Sequence, residues 1–178
     1  CGSSQTWENQ AKTFGSPATT LFLIDWDDTV LSSSWLAAQG LRLDSTHIPE
    51  EVQKQLVVLQ QWSCALLEKA LTLGQVALVT NAERGWIELS ARKFMPGIVP
   101  LLEKVRILSA RTQFQDQFPN QTQMWKNAAY DLVFDEAFGS IRDHTANFDG
   151  KLNVLSFGDA LYERNALMHL AERFQIVL

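Results

Sequence analysis

The stretch Leu21-Phe22-Leu23-Ile24-Asp25-Trp26-Asp27-Asp28-Thr29 limits the fold more than any other part of the chain. Four apolar residues in a row fit a buried parallel strand, which is covered on both faces and need not alternate. Three carboxylates then follow within four positions. Charges that close repel, and an apolar strand leading into them is a poor place to leave them uncompensated. A bound cation is the simplest resolution, because hard divalent ions take oxygen ligands. Asp25 and Asp27 stand two apart and point the same way if strand geometry persists. That spacing lets one carboxylate touch a substrate while the other moves a proton.

The rest of the chain supplies partners for such a strand. Apolar runs predict further strands at 75–81, 105–109 and 152–157, and a short fifth at 174–178. Between them the spacing predicts helices over roughly 49–72, 83–95, 99–104, 122–138 and 161–173. The first of these opens on Pro49-Glu50-Glu51, with acids at the positive end of the helix dipole, and stops at Gly74. Its apolar stripe reads Val52, Leu56, Leu59, Ser63, Leu66, Ala70 and Leu73. Residues 31–43 suit a short hairpin or helical flap, 111–121 a polar loop, and 141–150 a turn-rich connection. Strands separated by helices predict an α/β fold: a Rossmann-like three-layer α/β/α sandwich with a central parallel sheet of about five strands. Residues 1–18 read as a polar lead-in whose Trp7 and Phe14 either dock on the body or stay on an exposed arm, and 19–178 as one domain.

Composition narrows the function classes. A net charge of −5 with no basic run gives no support for nucleic-acid binding, and no window approaches 18 consecutive apolar residues, as a membrane span needs. Cys1 and Cys64 make no disulfide framework, which points to a reducing, cytoplasmic setting. The chain opens on Cys1, as expected of a processed or excised piece, so a leader segment is not testable.

In parallel α/β sheets, ligands sit beyond the carboxyl ends of the strands. Here those ends carry Asp25 and Asp27 on the first strand, Thr80 and Asn81 on the second, and Asp159 on the fourth, with Glu163 one helical turn further. Polar and acidic groups therefore gather along one edge of an otherwise apolar sheet. Rival motifs fail: Val30 stands where a calcium loop opened by Asp25 needs Gly, and no phosphate-binding Gly-x-x-x-x-Gly-Lys or dinucleotide Gly-x-Gly-x-x-Gly occurs.

These residues match a known pattern. Asp25-Trp26-Asp27-Asp28-Thr29 resembles the Asp-x-Asp-x-Thr signature of the haloacid dehalogenase (HAD) superfamily. Thr80 at a strand end looks like its second motif, and Gly158-Asp159-Ala160-Leu161-Tyr162-Glu163 resembles its acidic fourth motif, Gly-Asp-x-x-x-Asp. Lys126 is similar to its third-motif lysine, with Lys93 and Lys104 as rivals. The resemblance spans residues 21–178 and implies a Mg²⁺-dependent phosphomonoester hydrolase acting through an aspartyl-phosphate. It implies Asp25 as nucleophile and Asp27 as acid and base. Thr80, Asn81 and Lys126 would bind the phosphoryl group. Asp25, the Asp27 carbonyl and Asp159 would hold the metal, with Glu163 orienting a metal-bound water. A phosphotransferase and a non-catalytic interaction scaffold of the same fold are the alternatives.

Departures from the pattern have plain readings. Asp28, where the family often has Gly, caps a turn; Thr29 braces the loop; Trp26 packs beneath the site or lines its mouth. His47, His144 and His169 are scattered surface or structural residues. Only about fifty residues separate the first two strands, so the resemblance implies a minimal cap and an open site suited to a bulky phosphorylated substrate, protein or small molecule. Oligomeric state is left open.

Overall fold

The computed structural model describes residues 19–144 and 152–174. Four strands, β1 (Thr20–Ile24), β2 (Gln75–Thr80), β3 (Arg106–Ser109) and β4 (Asn153–Phe157), form one parallel sheet in the order β3-β2-β1-β4. The helices are α1 (Ser33–Ala38), α2 (Glu50–Leu73), α3 (Trp86–Phe94), α4 (Val99–Leu102), α5 (Ala110–Phe114), α6 (Thr122–His144) and α7 (Leu161–Phe174). A 3-10 turn at Pro96–Ile98 joins α3 to α4.

Alternation along β1 sorts the core into two layers. Phe22 and Ile24 join Trp26, Leu56, Leu67, Ile87 and Phe94 on the face covered by α2 and α3. Leu21 and Leu23 join Tyr130, Val133, Phe134, Phe138 and Leu170 on the face covered by α6 and α7. Each fully buried Leu, Ile or Phe contributes about 1.5–3 kcal/mol relative to exposure, so the two layers rather than local propensity hold the helices in place. Among the described residues no helix is long and apolar enough to cross a membrane.

The layered α/β architecture and the central parallel sheet agree with expectation; several details do not. Four strands are described, not five: α7 carries Phe174 as a helical residue, and 175–178 lie outside the described residues, as do Trp7 and Phe14. The region 31–43 resolves into the short helix α1. A polar loop was expected at 111–121, yet α5 begins it, because Ser109 caps the helix by accepting a hydrogen bond from the Thr112 N–H. Helix α6 runs on through 141–144, across Gly139-Ser140, where a stop is expected. Adding a residue to a formed helix gains a hydrogen bond, and an internal Gly costs only about 1 kcal/mol.

The α2 stripe also shifts. Leu67 is buried where Leu66 was expected, and Leu66 and Leu73 are 37% and 54% exposed. Steps of 100° from Val52 reach Leu56, Ser63, Leu67 and Ala70, and leave Leu66 and Leu73 off the covered face. Helix α3 starts three residues later than the pattern suggests, after Gly85, whose φ of +89° is a left-handed value that suits glycine.

Candidate active site

The parallel sheet brings the ends of β1, β2 and β4 to one edge, and the acidic run sits there. Asp25 directly follows β1 and is 6% exposed; its N–H donates to the Phe157 carbonyl at 2.9 Å. Its carboxylate meets Lys126, on the second turn of α6, whose Nζ donates to Asp25 Oδ1 at 2.6 Å. The same ammonium reaches Glu163 Oε1 at 2.9 Å and the Val79 carbonyl at 2.8 Å. An ammonium has three N–H donors, and all three find an acceptor here. That satisfaction explains how a lysine can be fully buried between β1, β2, α6 and α7.

Burial pushes the Asp25 carboxyl up to about 6 from 3.8; the Lys126 charge and hydrogen bond pull the other way, and Glu163 and Asp27 add to the rise. Tyr130, also buried against this cluster, has its phenol raised by desolvation and shares a 2.8 Å hydrogen bond with Ser156. It is a neutral brace between α6 and β4.

Asp27 lies one turn of chain further out and is half-buried. The loop folds back tightly: the Val30 N–H donates to the Trp26 carbonyl at 3.0 Å and the Asp28 N–H to the Leu31 carbonyl at 2.7 Å. Asp28 occupies the left-handed region at φ 55°, and its carboxylate accepts from the Ser34 N–H at 2.8 Å and from the Ser34 hydroxyl. It caps the turn into α1, as read from the sequence. Both Asp27 oxygens have donors, Trp86 Nε1 to Oδ1 at 2.8 Å and Thr80 Oγ1 to Oδ2 at 3.2 Å. Thr80 in turn accepts from the Ala82 N–H at 2.9 Å.

No family model, curated protein or solved structure matches this chain.

The site must therefore be read from its own residues. Asp25, Lys126 and Glu163 meet directly, and Asp27 and Thr80 meet beside them. The Asn81 Oδ1 is buried without a partner among the described residues, as is Glu163 Oε2. Glu163 leans over Gly158, where any Cβ would overlap its side chain. Asp159 stands exposed between β4 and α7. Among the described residues no group of three or more His, Cys, Asp or Glu side chains is arranged to hold a metal ion.

The rivals of Lys126 are engaged elsewhere or outside: Lys93 donates to the Ser45 carbonyl, and Lys104 is exposed. Trp26 does not line a mouth; it is fully buried and donates to Ser90 Oγ at 2.9 Å. The Thr29 hydroxyl is buried with no partner among the described residues, so it braces the loop through no hydrogen bond. His169 packs against Asp131, which Arg173 also holds.

Sequence reasoning missed Trp86 and the Val79 carbonyl. A backbone carbonyl has no sequence signal. Trp86 had one, a tryptophan in the first turn after the second strand's polar end, but it reads equally well as a core residue of α3.

Proposed function

We propose that this chain is a HAD-type phosphatase: a phosphomonoester hydrolase that works through an aspartyl-phosphate on Asp25. One observation carries the reading. A fully buried lysine from α6 bridges Asp25 and Glu163, residues 138 positions apart, while Thr80 holds Asp27 beside them. Four residues singled out by the family pattern thus gather with Lys126 in two adjacent groups, Asp25 and Glu163 on the lysine and Asp27 on Thr80. A structural ion pair alone would not need Asp27 fixed at its margin.

In the first half-reaction an Asp25 carboxylate oxygen attacks phosphorus, and the bond from phosphorus to the ester oxygen breaks. The Asp27 carboxyl gives its proton to the departing oxygen, so the alcohol leaves neutral. In the second, Asp27 takes a proton from water as that water attacks the acyl phosphate. Inorganic phosphate leaves, and Asp25 and the Asp27 proton are restored. Lys126 supplies positive charge beside the non-bridging oxygens, where negative charge sits throughout the displacement, and the Asn81 amide and the Thr80 hydroxyl, on exchanging its bond to Asp27, supply donors.

The donor set suits Mg²⁺ in kind: carboxylates, a backbone carbonyl and a buried Glu163 oxygen that lacks a donor, which a water on a hard cation would satisfy. Asp25, the Asp27 carbonyl and Asp159 would hold the ion, with Glu163 orienting its water. Its chemistry when bound is to neutralise the clustered negative charge of carboxylates and phosphoryl group. The test is hydrolysis of an aryl phosphate with and without Mg²⁺, by the parent chain and by Asp25→Asn. Mg²⁺-dependent turnover that the substitution abolishes supports the reading. A parent chain with no activity would favour the scaffold alternative, and product diverted to added alcohols would favour a phosphotransferase.

A further inference from the structure

A cleft of about 690 Å³ opens beside the catalytic cluster, and of Asp25, Asp27, Lys126 and Glu163 only Asp27 lines it. Its walls are mainly apolar: Leu36 and Ala37 from α1, Leu41 and Leu43 from the following loop, and Trp86 and Phe94 from α3. Arg42 and Asp44 stand on the same loop at its margin, both exposed. The volume is that of a small-molecule site, and apolar walls with few polar groups are what such sites present.

The walls are tied in place. Asp28 fixes the start of α1 through Ser34. Lys93 of α3 donates to the Ser45 carbonyl, and the Arg42 N–H donates to Ser45 Oγ at 2.9 Å, so the loop is fastened to the helix opposite. Trp86 serves both features: its ring forms part of the wall while its N–H holds Asp27 Oδ1 at 2.8 Å.

We infer that this cleft is the leaving-group subsite and that it takes an ester whose alcohol carries an aromatic ring or an apolar group of similar size. The inference rests on the phosphatase reading and adds a substrate class to it. The group that protonates the departing oxygen must touch that oxygen, so the body of the leaving group lies on Asp27's side of the site. On that side the chain offers Trp86 and a leucine-rich wall; its polar side chains are Ser33, Ser34, whose hydroxyl is held by Asp28, and the exposed Arg42 and Asp44 at the margin. An aromatic ring can stack against the indole and displace water from the leucines.

Benzyl phosphate and methyl phosphate make the test, because their leaving alcohols are of similar acidity and differ in the ring. Ala37→Trp fills the cleft from an exposed position on α1, and Ala38→Trp adds the same bulk on that helix at a position outside the cleft lining. In the parent, kcat/KM should favour benzyl phosphate by about tenfold or more, the scale on which an apolar pocket discriminates. Ala37→Trp should lower kcat/KM for benzyl phosphate far more than for methyl phosphate and so remove that preference, while Ala38→Trp keeps it. Equal use of both esters by the parent, or equal loss of both in Ala37→Trp, would overturn the subsite while leaving the phosphatase reading intact. No Mg²⁺-dependent hydrolysis of either ester would overturn both. O-phosphotyrosine and a tyrosine-phosphorylated peptide, run beside benzyl phosphate, separate a protein source of the ring from a free aryl ester.

Discussion

Lys126 donates to Asp25, Glu163 and the Val79 carbonyl at once, so its removal leaves two buried carboxylates facing each other. Breaking a buried pair by deleting one partner costs about 3–5 kcal/mol, and Lys126→Met should lower the urea midpoint accordingly and abolish turnover. The sign of the Asp25 titration gives a second expectation. A folded carboxyl at about 6 against 3.8 unfolded means the native state binds the proton more tightly. Its contribution to stability is therefore full below 3.8 and is lost as pH rises through about 6. In Mg²⁺-free buffer, Asp25→Asn should gain on the parent in urea midpoint across that window; a constant difference between the two would refute it. Trp86→Phe leaves a smaller aromatic ring on the cleft wall and removes the N–H on Asp27. It should reduce kcat for methyl phosphate, which does not use the cleft, by about tenfold, a part of the roughly 10²–10⁴-fold that general acid catalysis contributes as a whole. Asp25, Asp27 and Thr80 were legible because acids and hydroxyls at strand ends stand out against apolar runs, and Glu163 because it follows one such end by a helical turn. Lys126 was harder, since a helical lysine reads the same whether it faces solvent or a buried carboxylate, and only tertiary packing decides.

At the scale of elements, strands were easier to read than helix edges. β1 and β2 are buried along nearly their whole length, and continuous apolar runs report that directly. α5 and the far end of α6 were missed because one capping hydroxyl and the momentum of a formed helix outweigh polar, Gly-containing sequence. α1 was ambiguous for a related reason: it has no acid in its first turn, and its anchor is Asp28, five residues before the helix begins. Asp28→Ala removes the two acceptors for Ser34 and places a plain Cβ at a left-handed φ. The expected cost is about 1–2 kcal/mol, a drop of about 2–8 °C in Tm, and Asp28→Asn should recover most of it.

At the scale of the molecule, the sheet delivers three strand ends to one edge, α6 brings the lysine and α7 brings Glu163. Parallel connectivity alone forces that convergence, which is why the site's location was readable before its geometry. The geometry itself was not: which residues touch depends on α6 and α7 packing through Tyr130, Phe134 and Leu170, a layer with no local signal for register. Everything chemical then depends on whether Asp25 becomes phosphorylated. The direct measurement is mass spectrometry of the acid-quenched chain during turnover of benzyl phosphate with Mg²⁺. A hydroxylamine-labile phosphoryl group on Asp25, absent from Asp25→Asn, is the expected result. Steady turnover with Asp25 unmodified, retained in Asp25→Asn, would contradict it.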